Sequence, residues 1–207
     1  MTLYKIVLSG NTNSGKSELL PQLAKYLEER GFYVIQVPES ATELLNEGLE
    51  YGDDFQLHVA RRQLTNELKR IITARNHITK RPDQEVVMLL DRSFLCQRAY
   101  THDVHTWTNI LNRTFNRKYS PCQMVNYISK RYTGVIHLES NLVFGHVAEG
   151  RIETREQALA LEEKVLEASK MCKVFRFVPR QEKMSDKLHL VEKACISIIN
   201  NAKGLKR

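Results

Sequence analysis

One stretch constrains the fold more than any other. Gly10-Asn11-Thr12-Asn13-Ser14-Gly15-Lys16-Ser17 fits the pattern G-x-x-x-x-G-K-[ST]. The run before it, Leu3-Tyr4-Lys5-Ile6-Val7-Leu8-Ser9, is apolar and β-prone. The run after it places Leu19, Leu20, Leu23, Ala24 and Leu27 on one face of a helix. The motif therefore lies between a strand and a helix N-terminus, the context in which it works as a phosphate-binding P-loop. Backbone N–H groups of such a loop point inward as an anion nest, and the helix dipole adds partial positive charge. Every residue from Gly10 to Ser17 is a candidate nucleotide contact. Lys16 would reach the β- and γ-phosphates and the Ser17 hydroxyl would ligate Mg²⁺, so the motif implies ATP and Mg²⁺ as ligands.

Further strands follow at intervals filled by helical pattern. Tyr33–Val37 reads as a second strand closed by Pro38, and 40–46 as a short helix. A long helix is expected from Asp53 or Asp54, both N-cap candidates, to about Lys80, with Leu57, Ala60, Leu64, Leu68, Ile71 and Arg75 on its packing face. Residues 85–90 form a continuous apolar run, the pattern of a strand covered on both faces. A helix is expected over 93–101. Residues 102–119 are polar and read as a loop or short helices. Ser120 is the expected N-cap of a helix with Pro121 in its first turn, running to Lys130. Strands over 134–139 and 173–178, an amphipathic helix over 155–171 and a final helix from Met184 complete the chain. Strand and helix alternate five times, which predicts an α/β fold: a three-layer P-loop NTPase with a five-stranded parallel sheet and helices on both faces. Residues 1–207 read as a single domain, with a lid segment at about 140–155 and a basic tail at 203–207.

Bulk composition narrows the function classes. The 207 residues include 42% hydrophobic and 27% charged side chains, a globular balance. No apolar run reaches the roughly 18 residues of a membrane span, and there is no signal-peptide pattern, so a cytoplasmic protein is expected. The net charge of +7 suits a polyanionic ligand. The basic residues are dispersed rather than gathered in a stripe with aromatics, which argues against nucleic acid as partner. Cys96, Cys122, Cys172 and Cys195 form no C-x-x-C pair, and His58 and His137 read as packing residues.

In open parallel sheets, ligands bind beyond the carboxyl ends of the strands. The polar residues just after each strand are therefore the candidates. Asp91 would hold Mg²⁺ opposite Ser17, or else cap the next helix. Arg92 offers a planar fork of donors to a phosphoryl group. Glu39, placed by Pro38 at the tip of the second strand, is the candidate base for an acceptor hydroxyl, or a helix-dipole carboxylate. Phe55, Gln56 and Gln63 could stack on and pair with a planar ring, and Arg62 could approach an acceptor phosphate. Arg151 is the first choice for a lid arginine that neutralises the γ-phosphate, with Arg155 second. Lys16, Glu39, Arg92 and Arg151 are thus the expected catalytic set. Glu39, Phe55, Gln56, Arg62, Gln63 and Arg92 are the expected acceptor contacts, and Ser17 with Asp91 the metal ligands.

These segments occur in a recognisable order: the P-loop, Val37-Pro38-Glu39-Ser40-Ala41-Thr42-Glu43-Leu44, Phe55-Gln56, Gln63, Asp91-Arg92-Ser93, Val135-Ile136-His137-Leu138 and Gly150-Arg151-Ile152-Glu153-Thr154. Together they resemble the NadR-type P-loop family, often called AAA domain proteins, in the nucleoside/nucleotide kinase branch. The resemblance implies a kinase-like fold, Mg-ATP as donor and a nucleoside-like or nucleotide acceptor. Pro38-Glu39 and Asp91-Arg92-Ser93 also look like the base and the acidic-Arg-Ser motif of deoxynucleoside kinases, with Asp in place of their usual Glu. Asp-Arg is equally at home in thymidylate-kinase-like enzymes. The expected activity is that of an ATP-dependent phosphotransferase, as a monomer or homodimer. The competing class is an ATP-hydrolysing switch or binding module with a protein or lipid partner.

Overall fold

The computed structural model describes residues 2–11, 13–140 and 155–204. Five parallel strands form one sheet: β1 (Leu3–Ser9), β2 (Tyr33–Val37), β3 (Val86–Asp91), β4 (Gly134–Leu138) and β5 (Phe175–Val178), in the order β2-β3-β1-β4-β5. β1 is central, with Ile6 and Val7 beside Leu89 and Leu90 of β3 and beside Gly134 and Val135 of β4. The helices are α1 (Lys16–Glu28), α2 (Ser40–Asn46), α3 (Phe55–Lys80), α4 (Phe94–Gln97), α5 (Val104–Phe115), α6 (Pro121–Ser129), α7 (Arg155–Lys170) and α8 (Met184–Gly204).

The period of two in the strands sorts side chains into the two cores. Tyr4, Ile6 and Leu8 of β1, with Val87 and Leu89 of β3, pack against Leu19, Leu23 and Leu27 of α1 and Val191, Cys195 and Ile198 of α8. Val7, Met88, Leu90 and Val135 point the other way, against Ala60 of α3, Phe94 of α4, Trp107 and Leu111 of α5 and Met124 and Ile128 of α6. The sheet is covered on both faces, which is why its strands read as continuous apolar runs.

Five expectations are corrected. Residues 93–101 are not one helix: α4 stops at Gln97 and a 3₁₀ turn runs Arg98–Tyr100. Residues 102–119 contain a full helix, α5, capped by Asp103, whose Oδ1 accepts from His105 N at 2.7 Å and Thr106 N at 2.9 Å. Asp54 stands at the N-cap of α3 but makes no capping bond; its carboxylate lies 3.3 Å from Arg113 instead. On α3 the packing face carries Gln63, Glu67 and Ala74, while Leu68 is 49% exposed. His58, read as a packing residue, is exposed, whereas His137 is fully buried. Ser120 behaves as expected, in a reciprocal capping box with Gln123.

Candidate functional site

The topology sets three strand ends side by side. β1 leads into the P-loop, β3 beside it ends at Asp91, and β2 next out leads through Pro38 to Glu39. The loop conformation depends on glycine. Gly10 has φ 142°, and a Cβ built there would lie 2.5 Å from Leu138 O; Gly15 has φ 82°. Lys16 folds back over this loop. Its ammonium donates to Gly10 O and Asn11 O, each at 2.9 Å, and to Ser14 Oγ at 3.1 Å. These oxygens hold the charge in a buried position. Burial, followed by the nearby Arg92, pushes the Lys16 pKa down to about 8 against the pull of Asp91 and Glu39.

Asp91 ends β3 and is buried. Its Oδ1 has no hydrogen-bond partner among the described residues. Burial and then Glu39 push its pKa up, and Lys16 and Arg92 oppose that shift. An orphaned buried carboxylate oxygen beside a P-loop suits a hard divalent cation, whose charge would supply the missing partner. The Ser17 hydroxyl is exposed at the first turn of α1 and available for the same ion. Residue by residue, the donor set fits Mg²⁺.

Arg92 adopts φ 69°, a left-handed backbone that turns its side chain away from the strand. Its Nε donates to Glu39 Oε1, and its Nη1 donates to the Tyr100 hydroxyl at 2.7 Å. Thr42 Oγ1 donates to the other Glu39 oxygen at 2.9 Å. Burial alone would push Glu39 up, but Arg92 and Lys16 outweigh it and hold the carboxyl below its ordinary range. Glu39 is therefore an ionised carboxylate with one oxygen on a guanidinium.

A cavity of about 380 Å³ opens at this pair. Glu39, Arg92 and Thr42 line its polar end. Phe55, Tyr51 and Val59 supply an apolar wall, with the Tyr51 and Phe55 rings 4.7 Å apart, and Leu161 of α7 closes another side. Gln56, Gln63 and Gln97 add amides. Gln63 is already engaged: its Oε1 accepts from Ser40 Oγ at 3.0 Å and its Nε2 donates to buried Glu67 at 3.2 Å. Gln97 differs, because its Oε1 is buried and has no partner among the described residues.

Glu39, Phe55, Gln56, Gln63 and Arg92 thus meet around one cavity, with Lys16 and Asp91 close enough for their charges to act on Glu39 and Arg92. The structure does not bring Arg62 there. Its guanidinium forms two bonds to Glu47, at 2.7 and 2.6 Å, an exposed pairing that accounts for its charge. Thr12 and Arg151 lie outside the described residues, and Arg155 begins α7. Tyr100, Thr42 and Gln97 were missed from sequence. Tyr100 and Gln97 sit on the broken helix after β3, where polar letters read as surface. Their only sequence signal was their place beyond a strand's carboxyl end.

A family model described as "AAA domain" matches residues 5–181. The match bears out the resemblance drawn from the ordered motifs. No curated protein sequence matches the chain. Among solved structures, a thymidylate kinase from Ehrlichia chaffeensis is similar at TM-score 0.56 and 12% identity, covering 96% of this chain and 100% of that one. That likeness establishes the shared fold, a P-loop architecture with a five-stranded parallel sheet. Among the described residues no helix is long and apolar enough to cross a membrane.

Proposed function

The chain belongs to the AAA domain family, and on that premise we propose that it is an ATP-dependent phosphotransferase. It passes the γ-phosphoryl group of Mg-ATP to a small nucleoside-like or nucleotide acceptor. The observation that carries this reading is the cavity beside the P-loop. A protein that only hydrolysed ATP would need a water beside the P-loop; here an aromatic-walled cavity of about 380 Å³ meets an ionised carboxylate and a guanidinium at that point.

In this reading the P-loop amides and Lys16 hold the donor phosphates. Ser17 and Asp91 hold Mg²⁺, which when bound offsets the charge developing on the phosphoryl oxygens. Glu39 accepts the proton of the acceptor hydroxyl as its oxygen bonds to the γ-phosphorus and the bond from that phosphorus to ADP breaks. Arg92 holds Glu39 in place and offers its remaining N–H groups to the transferred group. Tyr51 and Phe55 stack on a flat acceptor ring, and Gln97 Oε1 takes a hydrogen bond from it. Arg151 is assigned to a lid over the phosphates, with Arg155 in reserve. Likeness to a thymidylate kinase supports a nucleotide among the acceptors to be tried.

The test is a panel of nucleosides and nucleoside monophosphates incubated with Mg-ATP, read by ADP release. The expected result is acceptor-dependent ADP formation. Glu39→Gln should lower it by about 10²- to 10⁴-fold while an inert ATP analogue binds with affinity within about twofold of wild type. If no acceptor raises ADP above the acceptor-free rate, or Glu39→Gln leaves turnover unchanged, the transferase reading falls. The second case favours an ATP-hydrolysing switch.

A further inference from the structure

Glu67 is the one acidic residue of α3, and it is fully buried. Four donors converge on it and divide between its oxygens. Oε2 takes Lys5 Nζ at 2.7 Å and Arg131 Nη2 at 3.0 Å. Oε1 takes Gln63 Nε2 at 3.2 Å and the Tyr132 hydroxyl at 2.8 Å. Cations from β1 and from the turn after α6 thus anchor one oxygen, and the other holds Gln63, which lines the cavity. Tyr132 extends this hold. Burial pushes its hydroxyl pKa well up, so it keeps the proton that it donates to Glu67. It accepts in turn from Phe94 N at 3.3 Å, and Phe94 begins α4, which carries Gln97. Gln63 and Gln97 are both referred to Glu67 Oε1.

A glutamine amide has nearly the same shape either way round, so its neighbours decide which end goes where. Burial pushes the Glu67 carboxyl up, but Lys5 and Arg131 outweigh it and hold it below its ordinary range, so the group is ionised. A carboxylate only accepts, which puts Gln63 Nε2 on Glu67. Gln63 Oε1 then takes Ser40 Oγ at 3.0 Å, and that hydroxyl also receives Asn66 Nδ2 at 3.4 Å. Ser40 sets no direction, because a hydroxyl donates or accepts as its neighbour requires. The reversed amide would set a carbonyl oxygen against a carboxylate oxygen inside the protein, which is repulsive. The charge on Glu67 therefore fixes Gln63.

On the transferase reading, we infer that Glu67 is a positioning residue that sets acceptor specificity: by fixing the Gln63 amide it makes the cavity favour a ring bearing a carbonyl over the same ring bearing an amino group. Gln63 Nε2 has a second N–H beyond its bond to Glu67. A ring carbonyl accepts that N–H, whereas a ring amino group would set donor against donor. Gln97 Oε1, buried without a partner among the described residues, suits the neighbouring ring N–H. Uracil and hypoxanthine carry a carbonyl beside an N–H. Their amino counterparts, cytosine and adenine, carry an amino group beside a bare ring nitrogen. In Glu67→Gln the two cations attract the new carbonyl, which leaves the new NH₂ facing Gln63. The Gln63 amide then turns over and offers oxygen where the N–H stood.

The test compares uridine with cytidine and inosine with adenosine, each also as its 5′-monophosphate, as acceptors by kcat/KM. Wild type should favour the carbonyl-bearing member of each pair it turns over. Glu67→Gln should move that ratio about 10- to 100-fold toward the amino member while an inert ATP analogue binds with affinity within about twofold of wild type. Lys5→Met breaks the same cluster on its Oε2 side, so it should lower stability and leave the ratio within about threefold of wild type. Lys5→Met/Glu67→Gln removes one of the cations left without a carboxylate and should shift the ratio as Glu67→Gln does, even where the single variant fails to fold. Neutron diffraction from wild-type crystals distinguishes the deuterated amide nitrogen from oxygen and should place Gln63 Nε2 on Glu67. Amino preference in wild type overturns the inference, as do carboxamide variants with the wild-type ratio, a Lys5→Met ratio that moves as far as theirs, or Gln63 oxygen on Glu67. Absence of turnover with every compound overturns the transferase reading instead, and the neutron map then decides the hold of Glu67 on Gln63 alone.

Discussion

Lys16 supplies the sharpest pH prediction. Its ammonium is buried on three oxygens of the P-loop, and burial beside Arg92 lowers its pKa from 10.5 to about 8. Above that value the free protein holds Lys16 neutral. A triphosphate in the loop restores strong negative charge and requires the ammonium. Nucleotide binding above about pH 8 must then take up a proton. Affinity should fall about tenfold, or about 1.4 kcal/mol, for each pH unit above that value. Titration calorimetry with an inert ATP analogue, run from about pH 7 to about pH 9.5 in buffers of different ionisation enthalpy, reads both affinity and proton uptake. The same group gives an opposite trend in the stability of the free protein. Its folded pKa is depressed, so between about 8 and 10.5 the unfolded chain binds more protons and stability rises with pH. Lys5 and Lys187 are also lowered by burial and add to that trend. Lys16→Met isolates the contribution of one lysine. An affinity flat across the range, with no proton uptake, would refute the reasoning.

Two stability predictions accompany the transferase test. Gly10→Ala forces a Cβ to within 2.5 Å of Leu138 O at φ 142°, and should cost about 2–3 kcal/mol in urea unfolding and abolish nucleotide binding; wild-type stability with intact binding would show that the loop tolerates a side chain. Glu67→Ala leaves Lys5 and Arg131 buried without their shared carboxylate, which stands 2.7 and 3.0 Å from them. It should lower stability by about 3–5 kcal/mol, and a loss below about 1 kcal/mol would mean that the network relaxes around water.

The strands and the P-loop were legible because their signals are local. A covered parallel strand is a run of apolar letters, and the loop is a fixed pattern between such a run and a helix. Glu39 was legible because Pro38 ends the strand beside it. α5 was not, although Asp103 as N-cap and Val104, Trp107 and Leu111 along one face were there to be read; the polar letters between them hid the period. Glu67 illustrates a different limit. In sequence it is one acid among the basic residues of α3. In space it receives Lys5 from β1, Gln63 from its own helix, and Arg131 and Tyr132 from beyond α6. Each partner other than Gln63 lies more than sixty residues away. Arg62 stands away from the cavity for a related reason: Glu47 on the loop after α2 pairs with it, and no spacing rule links those two positions. Leu68 shows that helical period alone cannot choose between adjacent faces when one of them carries a buried ionic cluster.

That cluster also bears on how the site works. Glu67 is ionised, held low by Lys5 and Arg131 against its own burial. An ionised carboxylate only accepts, so Gln63 must turn its Nε2 toward Glu67 and its Oε1 toward Ser40. The amide is thereby fixed, and its free N–H is what Gln63 can offer the cavity. Gln97 also lines the cavity, and its carbonyl oxygen is buried with no hydrogen-bond partner among the described residues. Under the proposed transferase reading, an amide N–H of Gln63 and the carbonyl oxygen of Gln97 at one cavity would favour an acceptor that carries both a carbonyl and an N–H on its ring. Selectivity in such a site comes mainly from the penalty on a ligand that leaves the buried oxygen unpaired. Glu39 and Arg92 impose no comparable demand on the ring, because each already has partners in the other, in Thr42 or in Tyr100. Under the transferase reading, chemistry and ring selection would then be carried by different residues. A Gln97→Leu variant should accordingly lose acceptor affinity and selectivity while nucleotide binding at Lys16 persists, and equal loss of both in binding titrations would show that the two halves of the site are one.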